Sequence, residues 1–534
     1  MTEQRDFRQN EPMRQAPYGY PPYRYPQPPR KREVPRSSRR ELVFGFVFLA
    51  LGLLFSLATP FRERPFAVLL LLLVLFALTA LFFGKEAFRL TARSSALLGF
   101  YALFLLPYLT NANAVLRFFS FVASLILLSL FWYELLVLKN QRLEDRDVWG
   151  AARSAVLSYF KRWHWLGYLT VASMGRGERA KKGWRTVGFI GIGLAVAAIP
   201  TLIVGLLLSY DASFTALFEF DFDFSPEKLF ERIWDLVLAF VFGSLFFSLV
   251  MTVKGEKRRP SALVSQGSVP RVILYAALTP LLLLYAIFFF SQKKYYLSAF
   301  TKALPEGLTY ATYAREGFFQ LCAVACINFA VFVAFSILVR KKEGERELVC
   351  RIYQGILALF TLILIATALS KMALYIGAYG LTQKRVYASW LMLLLSAVFL
   401  MIVLKQMISR FPFFKASFAV ALVFFALIAL PNVDGVIATY NVDRYLDGDL
   451  ESVDVDELIG LGVSSVEARI RLENEWLARG GLLGTDSLSE VERNALSRLS
   501  ASLDEAAAVF EYGFFSFSIP NYRAKRLLEA RESV

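Results

Sequence analysis

The sequence specifies an all-α fold, a polytopic integral membrane helical bundle, and three observations carry that reading. The 534 residues are 56% hydrophobic and only 19% charged, with a mean hydropathy of +0.48, whereas soluble domains run nearer a quarter charged. The apolar residues gather in runs of about 17–25, the length that crosses a bilayer. The 59 Lys and Arg fall in short blocks between those runs, as topogenic signals do. A nucleic-acid surface would concentrate its cations on one face, so the net charge of +15 does not indicate a nucleic-acid partner.

Residues 1–41 hold eight prolines, four tyrosines and ten Lys/Arg. Such a segment cannot bury a core and is expected to be a disordered, basic, cytoplasmic tail that touches anionic lipid. It does not read as a signal peptide, because the apolar run begins only at Leu42 and no small-residue cleavage site follows.

A transmembrane domain over 42–431 follows, with eleven spans expected near 42–60, 65–84, 95–110, 114–138, 186–209, 233–253, 271–291, 317–339, 352–374, 386–405 and 415–431. Thr110-Asn-Ala-Asn113 alone separates the third from the fourth, which makes them a tight helical hairpin. Alternating connections carry 37 Lys/Arg on the side of the N-terminal tail and 12 on the other. That bias puts the N-terminus in the cytoplasm and, with an odd number of spans, the C-terminus outside. Two longer connections stand out. Residues 139–185 form a basic, Trp-bearing cytoplasmic segment in which Val148 to Ala172 reads as a helix lying on the membrane, apolar side down. Residues 210–235 form an acidic external loop whose Phe218-Glu-Phe-Asp-Phe-Asp-Phe224 alternation fits one short strand.

From residue 432 to 534 the balance reverses to 10 basic against 19 acidic side chains. This acidic tail is expected to form three or four short amphipathic helices outside the membrane, available to protein partners. Capping-box spacings at Ser464-x-x-Glu467 and Ser489-x-x-Glu492 mark two starts, with Gly480-Gly481 as the expected break between them. Cys322, Cys326 and Cys350 lie in or beside apolar runs and His164 is the single histidine. That inventory leaves no material for His-based triads or His/Cys metal centres, so neither cofactor nor metal is expected.

Three polar, glycine-containing stretches then fall on one external surface. The first, Tyr310 to Phe318, enters the eighth span and carries Tyr313, Arg315 and Glu316. The second, Lys371 to Arg385, leaves the ninth and carries Lys371, Tyr375, Tyr379, Thr382 and Arg385. The third, Asn432 to Arg444, leaves the eleventh and carries Asn432, Asp434, Asn441, Asp443 and Arg444. Lys371 follows nineteen uncharged positions in a single run. Cations at membrane depth are costly unless paired or wet. Two readings answer that cost: ion pairs of Arg315 and Arg444 with Glu316, Asp434 or Asp443 that lock helix ends, or a cationic pocket for an anionic lipid headgroup or small-molecule ligand.

The strings Tyr-Ala-Arg-Glu-Gly-Phe-Phe (313–319), Met-Ala-Leu-Tyr…Tyr-Gly-Leu-Thr…Arg (372–385) and Asn-x-Asp…Ile-Ala…Asn-x-Asp-Arg (432–444) resemble a bacterial membrane-protein family catalogued as domain of unknown function 4173. The Tyr-Gly-Leu-Thr…Arg element is also similar to the sister family numbered 4153. The resemblance implies a multi-pass bacterial envelope protein and carries no activity with it. Few charges lie inside the helices, Glu134 and Lys371 being the exceptions, and an ion-coupled pump needs more. The expected role is therefore non-enzymatic: binding of a ligand or partner at the external site, in signalling, envelope homeostasis or transport. An envelope transferase acting on a lipid-linked substrate, with Asp434, Asp443 or Glu316 as base, and a membrane scaffold are the alternatives.

Overall fold

The computed structural model describes residues 39–57, 64–139, 145, 147–164, 226–258, 269–291, 310–338, 348–408, 410–483, 489–509 and 513–533. Every extended element among them is helical. In chain order the helices are α1 (Arg39–Leu57), α2 (Pro65–Phe83), α3 (Ala92–Leu103), α4 (Pro107–Thr110), α5 (Ala114–Tyr133), α6 (Asp147–Lys161), α7 (Pro226–Arg258), α8 (Arg271–Ser291), α9 (Tyr310–Leu338), α10 (Leu348–Tyr379), α11 (Gln383–Met407), α12 (Phe413–Ala429), α13 (Val433–Leu446), α14 (Val455–Gly460), α15 (Val466–Leu483), α16 (Glu490–Val509) and α17 (Ile519–Glu532).

Seven helices among the described residues are long and apolar enough to cross a membrane, and the bent pair α12–α13 makes eight if it is one span. Most of the expected runs appear in this set. The run at 42–60 forms α1 without joining it, and the run at 271–291 forms α8, whose apolar part is the shorter Tyr275–Ser291. The span expected at 186–209 and the strand expected at 218–224 lie outside the described residues, as does the N-terminal tail through residue 38.

One half of the bundle packs α1, α2, α3, α5, α6 and α7 around Trp132, Phe131, Phe246 and Phe247. Helices α1 and α7 meet backbone to backbone: a Cβ added at Gly52 would lie 2.0 Å from the Ala239 carbonyl oxygen, and one at Gly243 would lie 2.6 Å from that of Phe48. Small residues allow this approach, which drives helix association where lipid offers no hydrophobic gain. Polar side chains are matched across helices, as with Trp132 Nε1–H donating to Thr79 Oγ1 (2.9 Å) and Tyr101 donating to the Leu72 carbonyl (2.7 Å). The other half packs α8 to α12, where Asn328 accepts from Tyr285 (2.7 Å) and donates to Thr361 (2.9 Å).

Helix α6 covers the first part of the helix expected over Val148 to Ala172, of which residues 165–172 lie outside the described residues. It ends at Lys161, and its Ala151, Ala155 and Tyr159 are buried against the bundle while Trp149, Leu157 and Phe160 are exposed. Ser158 and Ser248, whose hydroxyl accepts from Arg162 N–H (2.9 Å) and donates to the Ser158 carbonyl (3.0 Å), tie it to α7. One apolar side is therefore covered by protein, and the other is left for lipid.

The C-terminal helices form a layer on the end of α12–α13. Leu458, Leu472, Trp476 and Leu499 bury against Ile437, Ala438 and Val442 of α13. Two expectations fail here. Gly480 and Gly481 lie inside α15 instead of breaking it, and Ser464 gives its hydroxyl to Asn432 Oδ1 (2.8 Å), since α15 begins only at Val466. The second capping box is made as expected: Ser489 N–H donates to Glu492 Oε2 (2.8 Å) and Glu492 N–H to Ser489 Oγ (3.2 Å).

Candidate functional site: a polar knot at the helix ends

The chain breaks between α12 and α13 at residues 430–432, turning by 57°. A break strands carbonyl groups that a continuous helix would satisfy. Here the α4–α5 loop supplies the donors. Thr110 Oγ1–H donates to the Leu430 carbonyl (2.6 Å), and Asn111 Nδ2–H donates to those of Ala429 (3.2 Å) and Pro431 (2.9 Å). Asn113 caps α5 by accepting from Val115 and Leu116 N–H, and its amide donates to Asp434 Oδ2 at 2.8 Å. Gln383 Nε2–H donates to the other carboxylate oxygen at 2.9 Å. Asp434 is only 4% exposed. Both its oxygens are held by neutral amides from distant parts of the chain, with no ion pair among the described residues.

A second layer encloses the end of α10. Gly380 takes φ +72, the left-handed conformation that ends many helices. Arg385, in the first turn of α11, donates Nη1–H to the carbonyls of Tyr379 (2.8 Å) and Gly380 (2.6 Å), and its guanidinium lies 4.1 Å from the Tyr375 ring centroid. Arg444, from α13, donates Nη1–H to the Gly377 carbonyl (3.1 Å) and to Tyr440 Oη (3.3 Å). Two guanidinium groups thus cap one helix C-terminus, where the dipole and orphaned carbonyls favour cations. Asn441 reads the adjacent peptide unit from both sides, accepting from Leu381 N–H and donating to the Leu381 carbonyl, each at 2.7 Å. Thr382 caps α11 by accepting from Arg385 N–H (3.4 Å).

The expected site residues are therefore partly gathered. Tyr375, Tyr379, Thr382, Arg385, Asn441 and Arg444 share this cap, and Asp434 joins it through Gln383 at the start of α11. Asn432 and Asp443 face the C-terminal layer, where Asp443 pairs with Arg471. Lys371 lies half-buried on α10, eight residues before Tyr379, or about 12 Å along the helix. Tyr313, Arg315 and Glu316 lie in the opening turns of α9, and their side chains are outside the described residues. The pairing expected of Arg444 is corrected: its carboxylate is Asp449, at 3.4 Å, and its other bonds go to a carbonyl and a phenol. Sequence reasoning missed Asn111, Asn113, Gln383 and Arg471. Three polar residues among the four at 110–113, expected on the same side as the three stretches, were the available signal for the first two.

Beyond this cap, α13, the 3-10 turn Gly462–Ser465 with the start of α15, and α17 enclose an open cavity of about 510 Å3. Asn432, Thr439, Tyr440 and Asp443 form one wall; Glu467 and Arg523 stand opposite. Tyr440 is shared, lining the cavity and accepting from Arg444 at its hydroxyl.

A family model described as Domain of unknown function (DUF4153) matches residues 97–472, which contain Asn113, the α10 cap and Asp434. No curated protein and no solved structure matches the chain.

Proposed function

This integral membrane protein belongs to the DUF4153 family, and from that premise we propose that it is a ligand-responsive protein of a bacterial plasma (inner) membrane. In this reading residues 432–534 lie on the extracytoplasmic side, and the kinship to family 4173 suggested by the three motif strings adds the envelope setting. The ligand occupies the cavity between α13 and the C-terminal layer. The observation that carries the proposal is Tyr440, which lines that cavity and is bonded to Arg444, the residue that caps α10. An occupant there acts on the end of a 32-residue helix through two side chains, Tyr440 and Arg444.

The lining narrows the ligand class. Glu467 offers a carboxylate, Arg523 a guanidinium and Thr439 a hydroxyl, beside Asp443, which is already paired with Arg471, and Asn432, which already accepts from Ser464. That combination suits a small zwitterionic or hydroxyl-rich molecule better than a plain anion. The arginines that made an anion attractive, Arg385 and Arg444, are committed to carbonyls.

The test is complementation of a deletion strain. Thr439→Trp fills the cavity from an exposed position, and Arg444→Ala cuts the link to α10. Both are expected to abolish function while the protein accumulates in the membrane at normal levels. Wild-type behaviour of both variants overturns the reading.

A further inference from the structure

At the opposite end of the α3–α5 hairpin from Asn113, a second cavity opens. Asn113 begins α5 and Glu134 follows its last residue; the 20 residues between span about 30 Å, one hydrocarbon core. The cavity, about 350 Å3, lies between α3, the end of α5, α6 and α12.

Its lining is ordered by depth. On α3 the lining residues Arg93, Ala96 and Phe100 follow one face, and on α12 Lys415, Phe418 and Leu422 do the same. On both helices the cation belongs to the first turns and the apolar residues run inward for seven positions, about 10 Å. Glu134 shares the level of the two cations. It is 6% exposed, and its Oε1 lies 3.1 Å from Arg93 Nε yet makes no hydrogen bond. It also opens a five-residue π-helical turn, Glu134–Leu138. Such turns are rare and gather at functional sites. At both helix starts a side chain already caps backbone donors. Thr91 accepts from Ser94 N–H (3.2 Å), and Asp145 accepts from Phe414 and Lys415 N–H (3.1 Å each). An anion at the mouth therefore meets side chains.

We propose that this slot holds one membrane phospholipid: phosphate between Arg93 and Lys415, a headgroup hydroxyl or ammonium donating to Glu134, and an acyl chain along Phe100, Phe418 and Leu422. Two cations and one carboxylate at the rim match a headgroup that carries both a phosphate and a hydrogen-bond donor. The apolar shaft matches a chain, and a membrane leaflet supplies both at high concentration. A choline headgroup brings the phosphate without a donor, so the site discriminates against it. This inference does not rest on the ligand proposed for the other end of the bundle.

The test uses the full chain, purified in mild detergent and stripped of lipid. Thermal unfolding is followed after adding mixed micelles of phosphatidylglycerol, phosphatidylethanolamine or phosphatidylcholine with identical chains, or inorganic phosphate alone. The first two are expected to raise the unfolding temperature at least three times as far as the choline lipid, and to remain bound in native mass spectrometry. Lys415→Gln is expected to at least halve that shift. Ala419→Trp, which fills the slot and keeps every charge, is expected to remove it. Ala96→Phe serves the same purpose if Ala419→Trp does not fold. Equal shifts from all three lipids, an equal shift from phosphate alone, or a full shift in a folded slot-filled variant each overturn the proposal.

Discussion

Asn113 and Asp434 stand 321 positions apart and meet in a 2.8 Å hydrogen bond between buried side chains. With the Gln383 amide on the other oxygen at 2.9 Å, this contact joins the α4–α5 loop, the start of α11 and the start of α13. Asp434→Ala strands the buried Asn113 amide, at a cost of about 1–3 kcal/mol, and the half-buried Gln383 amide, which water can partly satisfy. We expect a lowered unfolding temperature in detergent for Asp434→Ala and a smaller loss for Asp434→Asn, which keeps an acceptor. Thermal scans of both variants check this, and an Ala variant as stable as wild type would show that the knot bears no weight.

Gly380 is fixed twice over. Its φ of +72 costs an L-residue about 1–2 kcal/mol, and an added Cβ would lie 2.4 Å from Asn441 Oδ1. Gly380→Ala is therefore expected to destabilise by more than the backbone strain alone. The overlap disappears in an Asn441→Ala background, so a double-mutant cycle should give a clearly non-additive result. Additivity would mean that the loop moves aside.

Arg385 and Arg444 act as caps, and geometry makes arginine hard to replace. Both carbonyl bonds leave one nitrogen, Nη1, which a lysine ammonium can imitate only from a shorter side chain, and a lysine lacks the planar group that stacks on Tyr375. Arg385→Lys is expected to recover less than half of the stability lost in Arg385→Ala. Limited proteolysis at residues 380–382 offers a local readout, with cleavage faster in Ala than in Lys and slowest in wild type.

Glu492, in the C-terminal layer, receives Tyr445 Oη–H (2.7 Å), Ser489 Oγ–H (2.7 Å) and Ser489 N–H (2.8 Å). The Tyr445 bond, then the two from Ser489, hold its carboxyl below the ordinary value of 4.5. A carboxylate with a depressed folded-state value stabilises fully above its unfolded value and loses that contribution as pH falls through the folded one. Wild type should therefore be more stable than Glu492→Gln at neutral pH, with the gap closing only below about pH 4.5. Parallel melts from pH 7 to pH 3 check the sign. A gap that widens on acidification would refute it.

Gly243→Leu drives a side chain into the α1–α7 contact, where a Cβ already meets backbone at 2.6 Å. Overpacking costs about 1–3 kcal/mol, and here no side chain can move to absorb it. Loss of folded protein from membranes, read by detergent-resistant gel filtration, is the expected outcome.

The fold was largely legible because membrane spans are written locally. A run such as Ile352–Ser370 announces α10 without reference to anything distant. Helix caps such as Ser489 and Glu492 are local in the same sense. The site was legible only in outline. Arg385 and Arg444 are visible as cations at helix ends, but their carbonyl partners come from a third helix, and no spacing rule reaches that far. Asn113 and Gln383 looked like loop and cap residues until the carboxylate they share was seen. Gly480-Gly481 misled because propensity, at about 1 kcal/mol per glycine, is a weak force beside the packing of Leu472 and Trp476 on the same helix.

The polar loop at 110–113 has a consequence for biogenesis. A chain made from its N-terminus produces Asn111 and Asn113 more than 300 residues before the carbonyls and the carboxylate they serve. Until residue 434 has left the ribosome, those amides have only water for company, so the hairpin tip stays at the aqueous boundary. Closure of the break between α12 and α13 by these amides therefore has to wait until every span before it has been made. A nascent chain stalled at residue 428 would hold nearly all its spans and still lack every partner that these amides have in the folded protein.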